Sequence, residues 1–556
     1  MPGETRLESC GDAVDADVAR EQVLEALHYF SSTSLSEILA TRQNGEPEPE
    51  HLQQDLLRLF RATAQLVPAF AAFLADSGVS VDAIASVQDL CANVPLVDKV
   101  NYLQRYQLPQ RCIGGALAVG DVDFCHVSSG SSGEPTFWAR STLSELTVAT
   151  RFEQILCDNF RATETPLLCV NAFPLGSWVG GIFTTFCLRY CAIKGLKVTI
   201  VTPGNVPSEI LRCISHLGPL FPRTCILGYP PFVKGLIDAG RVAGVDWAAR
   251  DICLVLAGEV FSEEWRQLVS TRAGIAVPLR DIVSIYGTAD AGVLGNETWL
   301  SACIRDWLSQ RPAVAKELFE HERLPTLVQY DPAVRFIQVT PQRTLAITNM
   351  DSLSHRPASP LHASSMGVAT PRDGHIASDG TVLRGPPPLV RYHIHDRGGT
   401  LSYDALLEFV GSRGFSIPPE VQGRHIARRL PFCWVFGREH WSVSLYGANV
   451  FVDQCVVALE QPGVSESVTG KFILDITSDE DANPRLWLLV ECAPSQSPSD
   501  VGLVSTLQER VRQQLLKVNS EFANYVPADS QVPTVTLYQF GDSACFPVGV
   551  KHKWTR

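Results

Sequence analysis

The 556-residue sequence is short of basic side chains: 46 lysines and arginines face 59 aspartates and glutamates, a formal charge of −13. A nucleic acid or an anionic membrane surface calls for a basic face, so neither is expected as a main partner. No C-x-x-C pair occurs among the 16 cysteines, the nearest approach being Cys187 and Cys191. Scattered cysteines in a large chain read as small buried hydrophobes in a reducing compartment. The N-terminal MPGETRLESCGD lacks a basic n-region and an apolar h-region, so no secretory signal is expected. The most apolar stretch, WVGGIFTTFCL, runs about eleven residues before Arg189, against the ~20 that a bilayer-spanning helix needs. These absences point to a soluble, cytoplasmic protein. G-x-x-x-x-G-K-[ST] and G-x-S-x-G are missing too, which excludes a P-loop NTPase and a nucleophile elbow. No internal repeat at a fixed period is visible.

What is present belongs to an ordinary globular chain. A composition 45% apolar and 19% charged supplies ample core, and the length allows roughly three or four structural units. Up to about residue 110 the pattern is helical, as in HLQQDLLRLFRATAQLVPAFAAFLADSG, with apolar residues at three- and four-residue spacing. From Thr165 onward short apolar runs end on Gly or Pro: TPLLCVNAFP, LKVTIVTPGN, RTCILGYPP, DICLVLAGE and DIVSIYGTADAG. Helical patterns lie between several of them, so the expected fold class is α/β with mostly parallel sheets in the large domain. Ligands of such sheets bind beyond the carboxyl ends of the strands, where these Gly-rich turns fall. The Pro/Ser/Gly-rich stretch 352–388 reads as a long exposed loop. Residues 437–556 read as a small α+β domain, which leaves 1–110 as a helical segment on a large domain, 111–436.

Several motifs carry chemistry. HVSSGSSGEPTF (126–137) has the composition of a flexible spacer, yet sits deep inside a globular chain. Glycines there allow close backbone approach, and hydroxyls with N–H groups can surround phosphate oxygens. Downstream follow LAGEVFSEEWR (256–266), YGTADAG (286–292), PLVRYHIHDRG (388–398), FGREHWSVSLYGANVFV (436–452) and the terminal GVKHKWTR. The pair His393 and His395 in HIHD lacks further ligands at metal spacing and is a weak metal signal.

Taken in order, these six elements resemble the adenylate-forming enzymes, in particular the phenylacetate–CoA ligase branch. The resemblance implies activation of a carboxylic acid with ATP and Mg²⁺, release of pyrophosphate, and transfer of the acyl group, with coenzyme A as acceptor. It assigns Ser128, Ser129, Gly130, Ser131, Ser132 and Gly133 to the phosphates. Gly258, Glu259, Tyr286, Gly287 and Thr288 fall to the adenine side, Asp290 to Mg²⁺, and Asp396 to both ribose hydroxyls. Arg438 falls at the domain junction, His440 at the hinge, and Lys553 at the α-phosphate as a mobile catalytic cation, with Lys551 its close competitor. FPLGSWVGGIFTTF and GYPPF should lie beside the adenine site, making Trp178, Phe183 and Tyr229 candidate walls for an aromatic or compact apolar acid. The sequence departs from the family pattern at Glu134, where a lysine is usual, at Asp290, usually glutamate, and at His440 and Trp441. Two alternatives follow: an amine or carrier-protein thiol as acceptor, or a degenerate member that binds nucleotide without turnover. The helical N-terminal segment either caps the core or forms a homodimer face.

Overall fold

The computed structural model describes residues 13–40, 45–117, 122–128, 136–321, 323–353, 376–422, 428–438, 442–461, 463–494, 496–546 and 554–555. The apolar runs become strands: β1 (Phe124–Ser128), β2 (Thr136–Arg140), β3 (Leu167–Asn171), β4 (Val198–Val201), β5 (Arg223–Gly228), β6 (Ile252–Ala257), β7 (Ile282–Thr288), β8 (Gly292–Asn296) and β9 (Thr326–Gln329). They continue as β10 (Arg335–Val339), β11 (Thr344–Asn349), β12 (Tyr392–Leu401), β13 (Phe432–Arg438), β14 (Ser442–Leu445), β15 (Ala448–Phe451), β16 (Val468–Ser478), β17 (Pro484–Cys492) and β18 (Thr534–Tyr538).

Eleven of these strands form one sheet in the order β10-β11-β12-β13-β9-β8-β7-β6-β5-β3-β4. The α/β class holds, but the sheet is parallel only from β4 to β7. From β7 to β10 every pairing is antiparallel. The switch has a local cause: Ala289, Asp290 and Ala291 alone join β7 to β8. A parallel crossover needs a dozen or more residues, so this short connection can only turn the chain back as a hairpin.

β3 and β5 are buried along their whole length, as strands covered on both faces must be. Their side chains alternate between two cores. Leu168, Val170 and Ile226 pack against Ile210 and Leu236 of the helices Pro207–Leu217 and Pro230–Val242. Cys169, Cys225 and Leu227 pack on the other face against Phe152 and Leu188, from the helices Thr142–Gln154 and Val179–Ile193. A third cluster joins Leu56, Phe60 and Phe70 of the N-terminal helices to Ile347 of β11 and Tyr392 of β12. Pro68, at the first position of its helix, bends that helix 96° from its predecessor. Among the described residues no single helix is long and apolar enough to cross a membrane.

The stretch 352–388, expected as an exposed loop, is partly core. Leu353 bridges Leu383, which is fully buried, and Ala377 is buried as well; residues 354–375 lie outside the described ones. Leucines spaced through this Pro/Gly-rich segment return it to the large domain.

β13 stays in the large sheet as far as Arg438. Beyond it come the β14–β15 hairpin, the sheet β16-β17-β18 and the helices Val452–Leu459, Val501–Val518 and Ser520–Tyr525. The apolar cluster around Phe232 and Leu236 continues into this unit through Leu445, Leu488 and Phe522. A polar tie flanks it. Fully buried Lys234 donates to Asn483 Oδ1 at 2.9 Å and pairs with Asp238 at 3.0 Å. Arg272 spans Asp238 and Asp481.

Candidate active site

Tyr286, Asp290 and Asp396 gather at the end of β7 and the first half of β12. Tyr286 and Asp396 are both buried, and the tyrosine hydroxyl donates to Asp396 Oδ2 at 2.8 Å. Asp396 stands opposite Arg438 in the β12–β13 register, so the ribose and junction candidates come from neighbouring strands. Tight packing around the glycines after Asp396 fixes this region: a Cβ on Gly398 would lie 2.2 Å from the Trp434 carbonyl oxygen.

Asp290 occupies the three-residue turn after β7. Thr288 Oγ1 accepts from the Ala291 N–H at 2.9 Å and locks that turn. From β2, buried Arg140 donates to the carbonyls of Ala289 at 2.5 Å and Asp290 at 3.0 Å. Burial lowers Arg140 to about 10, which leaves it charged at neutral pH. The Asp290 carboxylate accepts from the Tyr392 hydroxyl through Oδ2 at 2.7 Å, while Oδ1 lies 3.8 Å from Lys99 Nζ. Arg111, Phe137, Trp138, Arg140, Asp290 and Pro388 line a small cleft here.

Lys99 was missed by the motif reading, as was Arg140. Lys99 opens a wide turn, Lys99–Leu103, whose N-terminus Asp98 caps by accepting from Val100 and Asn101 at 2.8 Å. Asn101 closes the reciprocal bond to the Asp98 N–H. Val97 exchanges backbone bonds with Arg391 and His393, stitching the segment along β12. The visible signal was D-x-x-N just before an apolar pair; its helix start is readable, its approach to Asp290 is not.

β1 and β2 pair antiparallel from Phe124↔Arg140 to Ser128↔Thr136. Ser129, Gly130, Ser131, Ser132, Gly133 and Glu134 lie outside the described residues, as do His440, Lys551 and Lys553. One residue past Lys553 the chain is tied to the small domain. The Trp554 carbonyl accepts from Leu474 N–H at 2.7 Å, Thr555 bridges Leu474, and the Trp554 ring packs edge-on to Phe472.

The three proposed acyl walls part company. Phe183 is buried beside His126, ring centroids 5.6 Å apart. His126 is fully buried with both ring nitrogens unpartnered among the described residues, and burial lowers it to about 3, so it is neutral. Trp178 bridges Val127 at the strand leading to the Ser/Gly loop. Tyr229, at the end of β5, packs against Phe173 at 5.1 Å. Trp178 and Tyr229 both reach Tyr525 of the small domain, at 5.2 and 5.5 Å.

Gly258 and Gly447 hold Tyr229 between them. Both have positive φ, +89° and +84°, and a Cβ on either would come within 2.7 Å or less of the tyrosine ring. The Gly447 N–H, in the β14–β15 turn, donates to the Glu259 carboxylate. Burial pushes Glu259 up to about 7, against the opposing pull of that N–H.

His393 and His395 sit with rings 4.0 Å apart, His393 bonded to Thr344 Oγ1 at 2.7 Å. Among the described residues no group of three His, Cys, Asp or Glu side chains could hold a metal ion.

No family model and no curated protein matches the sequence. Solved structures do. A 2-hydroxyisobutyryl-CoA ligase, in complex with 2-HIB-AMP and CoA in the thioesterification state, superposes with a TM-score of 0.55 at 15% identity, covering 92% of this chain and 91% of its own. The amide bond synthetase McbA from Marinactinospora thermotolerans follows at 0.41 and 12%, over 76% of this chain and 66% of its own. A malonyl-CoA ligase with methylmalonyl-CoA and AMP bound gives 0.39 and 13%, over 76% and 71%. At such identities the likeness is one of architecture, and the near-complete mutual coverage of the first match carries it. The chain has the fold of the adenylate-forming ligases.

Proposed function

We propose that this chain activates a carboxylic acid with ATP, giving an acyl-adenylate and pyrophosphate, and then passes the acyl group to the thiol of coenzyme A, in the manner of the phenylacetate–CoA ligase branch. The observation that carries this reading is the meeting of Tyr286, Asp396, Asp290 and Lys99 around the end of β7 and the first half of β12. Tyr286 and Asp290 share one motif and Asp396 comes from another about a hundred positions on, and both carboxylates are buried, each accepting from a tyrosine hydroxyl.

In the first step a carboxylate oxygen of the acid attacks the α-phosphorus, and the bond to the bridging oxygen of pyrophosphate breaks. The protein's part is to align two anions and neutralise the charge on the phosphate oxygens. Tyr286 would frame the adenine, with Gly258, Glu259, Gly287 and Thr288 beside it. Asp396 would accept from the ribose hydroxyls. Ser128 and the Ser/Gly loop would surround the β- and γ-phosphates, and Lys99 and Arg140 would supply positive charge where Glu134 replaces the usual loop lysine. Lys553, with Lys551 as competitor, would reach the α-phosphate.

Magnesium usually keeps waters and takes one or two protein carboxylates together with substrate phosphates. Asp290 fits that demand through Oδ1, the oxygen not committed to Tyr392 and 3.8 Å from the nearest cation. The ion, when bound, would neutralise triphosphate charge.

In the second step the thiol sulfur attacks the acyl carbon and AMP leaves. Acid-dependent exchange of pyrophosphate into ATP, followed by assay for a CoA thioester, tests both steps. Exchange without thioester would move the acceptor to an amine or a carrier-protein thiol. ATP binding without exchange would favour a nucleotide-binding role.

A further inference from the structure

We propose that Tyr525, from the small domain, is the outer wall of the acyl site and sets the size of acid accepted. The inference rests on the acid-activation reading above and adds to it a specificity residue that no motif contains.

Four aromatic rings form a continuous row across the domain boundary. Phe173 meets Tyr229 edge-on at 5.1 Å, Tyr229 meets Tyr525 at 5.5 Å with planes 33° apart, and Tyr525 meets Trp178 at 5.2 Å. Tyr525 is buried in this row. Three of these rings belong to the large domain and are held there. Tyr229 cannot turn aside because Gly258 and Gly447 close on its ring. Trp178 is fixed by the bridge to Val127, with the Val127 N–H donating to the Ser177 carbonyl at 2.9 Å. That bond places Trp178 beside the strand that enters the Ser/Gly loop. The row therefore lies between β1 and the Gly258–Glu259 turn, where the acid-activation reading puts an acyl group attached to AMP.

Tyr525 is the one member supplied by the small domain. It ends the helix Ser520–Tyr525, which Glu521 bolts to β15 by accepting from the Asn449 N–H at 3.1 Å. Asn205 of the large domain donates to the neighbouring Asn524 carbonyl at 3.1 Å. With its backbone fixed on both sides, the ring fills the interval between Trp178 and Tyr229. A large ring there leaves room for a compact acid, and its removal opens room for a bulkier one.

The test compares isobutyric, benzoic and 1-naphthoic acids as substrates for wild type, Tyr525→Phe, Tyr525→Leu and Tyr525→Ala, with coenzyme A as acceptor, or hydroxylamine if no thioester forms. Tyr525→Ala should shift the ratio of kcat/KM for naphthoic over isobutyric acid upward by about tenfold or more, the scale on which pocket volume discriminates. Tyr525→Leu should shift it part of the way, Tyr525→Phe should keep the wild-type ratio, and the KM for ATP should stay within about twofold. A domain-docking role alone would lower all acids together and leave the ratio untouched. If Tyr525→Ala fails to fold, Tyr525→Leu carries the comparison. An unchanged ratio in an active variant overturns the inference and leaves the acid-activation reading standing. Absence of exchange with any acid in the wild type removes that reading, and the inference with it.

Discussion

The hydroxyl of Tyr286 donates to Asp396 at 2.8 Å, joining two residues 110 positions apart in a buried pair between the end of β7 and the first half of β12. Each depends on the other. The carboxylate needs a donor to be buried, and the phenol needs an acceptor to hold its ring in place. Tyr286→Phe removes the donor and should weaken ATP binding by about tenfold or more, since one hydrogen bond to a charged group contributes roughly 1.5 kcal/mol or more. Isothermal titration with ATP reads this directly, and unaltered affinity would detach the pair from the nucleotide.

Lys99 stands 3.8 Å from Asp290 Oδ1 and is mostly buried. If it supplies charge that Glu134 does not, Lys99→Met should weaken ATP by about tenfold. Adding Glu134→Lys to that variant should restore most of the loss. Affinity indifferent to both changes would mean that Lys99 serves only to pair with Asp290.

A methyl group on Gly447 would meet the Tyr229 ring at 2.5 Å. Gly447→Ala should therefore push the β14–β15 turn away and break its bond to Glu259. Overall product formation should fall by more than about tenfold, with ATP affinity little changed. Equal loss of both would show that the glycine is needed for folding rather than for docking.

Glu145 gives a pH prediction with a definite sign. It is buried and accepts from the Tyr190 hydroxyl at 2.9 Å, and burial raises it from an ordinary value of 4.5 to about 7. The folded state therefore binds this proton more tightly than the unfolded chain does. The stabilisation is complete below about pH 4.5 and is lost as pH rises through about 7, on the order of 3 kcal/mol. Glu145→Gln cannot ionise, so its melting temperature relative to wild type should climb between pH 5 and pH 8, a range set by that shift. A difference that stays flat across this range would contradict the burial argument.

The sequence made much of this legible where chemistry and local pattern coincide. YGTADAG announced a strand ending in a turn, and the turn indeed holds Asp290. The antiparallel half of the sheet was not legible, although its cause was in plain view: three residues between β7 and β8 leave no room for a crossover. Lys99 and Tyr525 were invisible for another reason. Each reaches its proposed place from an element with its own local logic, an Asp98 cap and a helix end, and nothing in either stretch records which distant residue it will meet. The 352–388 stretch misled because proline and glycine dominate its composition while Leu353 and Leu383 decide its burial.

The measurement that bears most directly on the central claim is exchange of radiolabelled pyrophosphate into ATP, run with a panel of carboxylic acids on wild type and Asp396→Ala. Exchange that requires an acid and falls by about a hundredfold in Asp396→Ala is the expected result. Exchange with no acid in the panel, or exchange undiminished by the loss of Asp396, would contradict it.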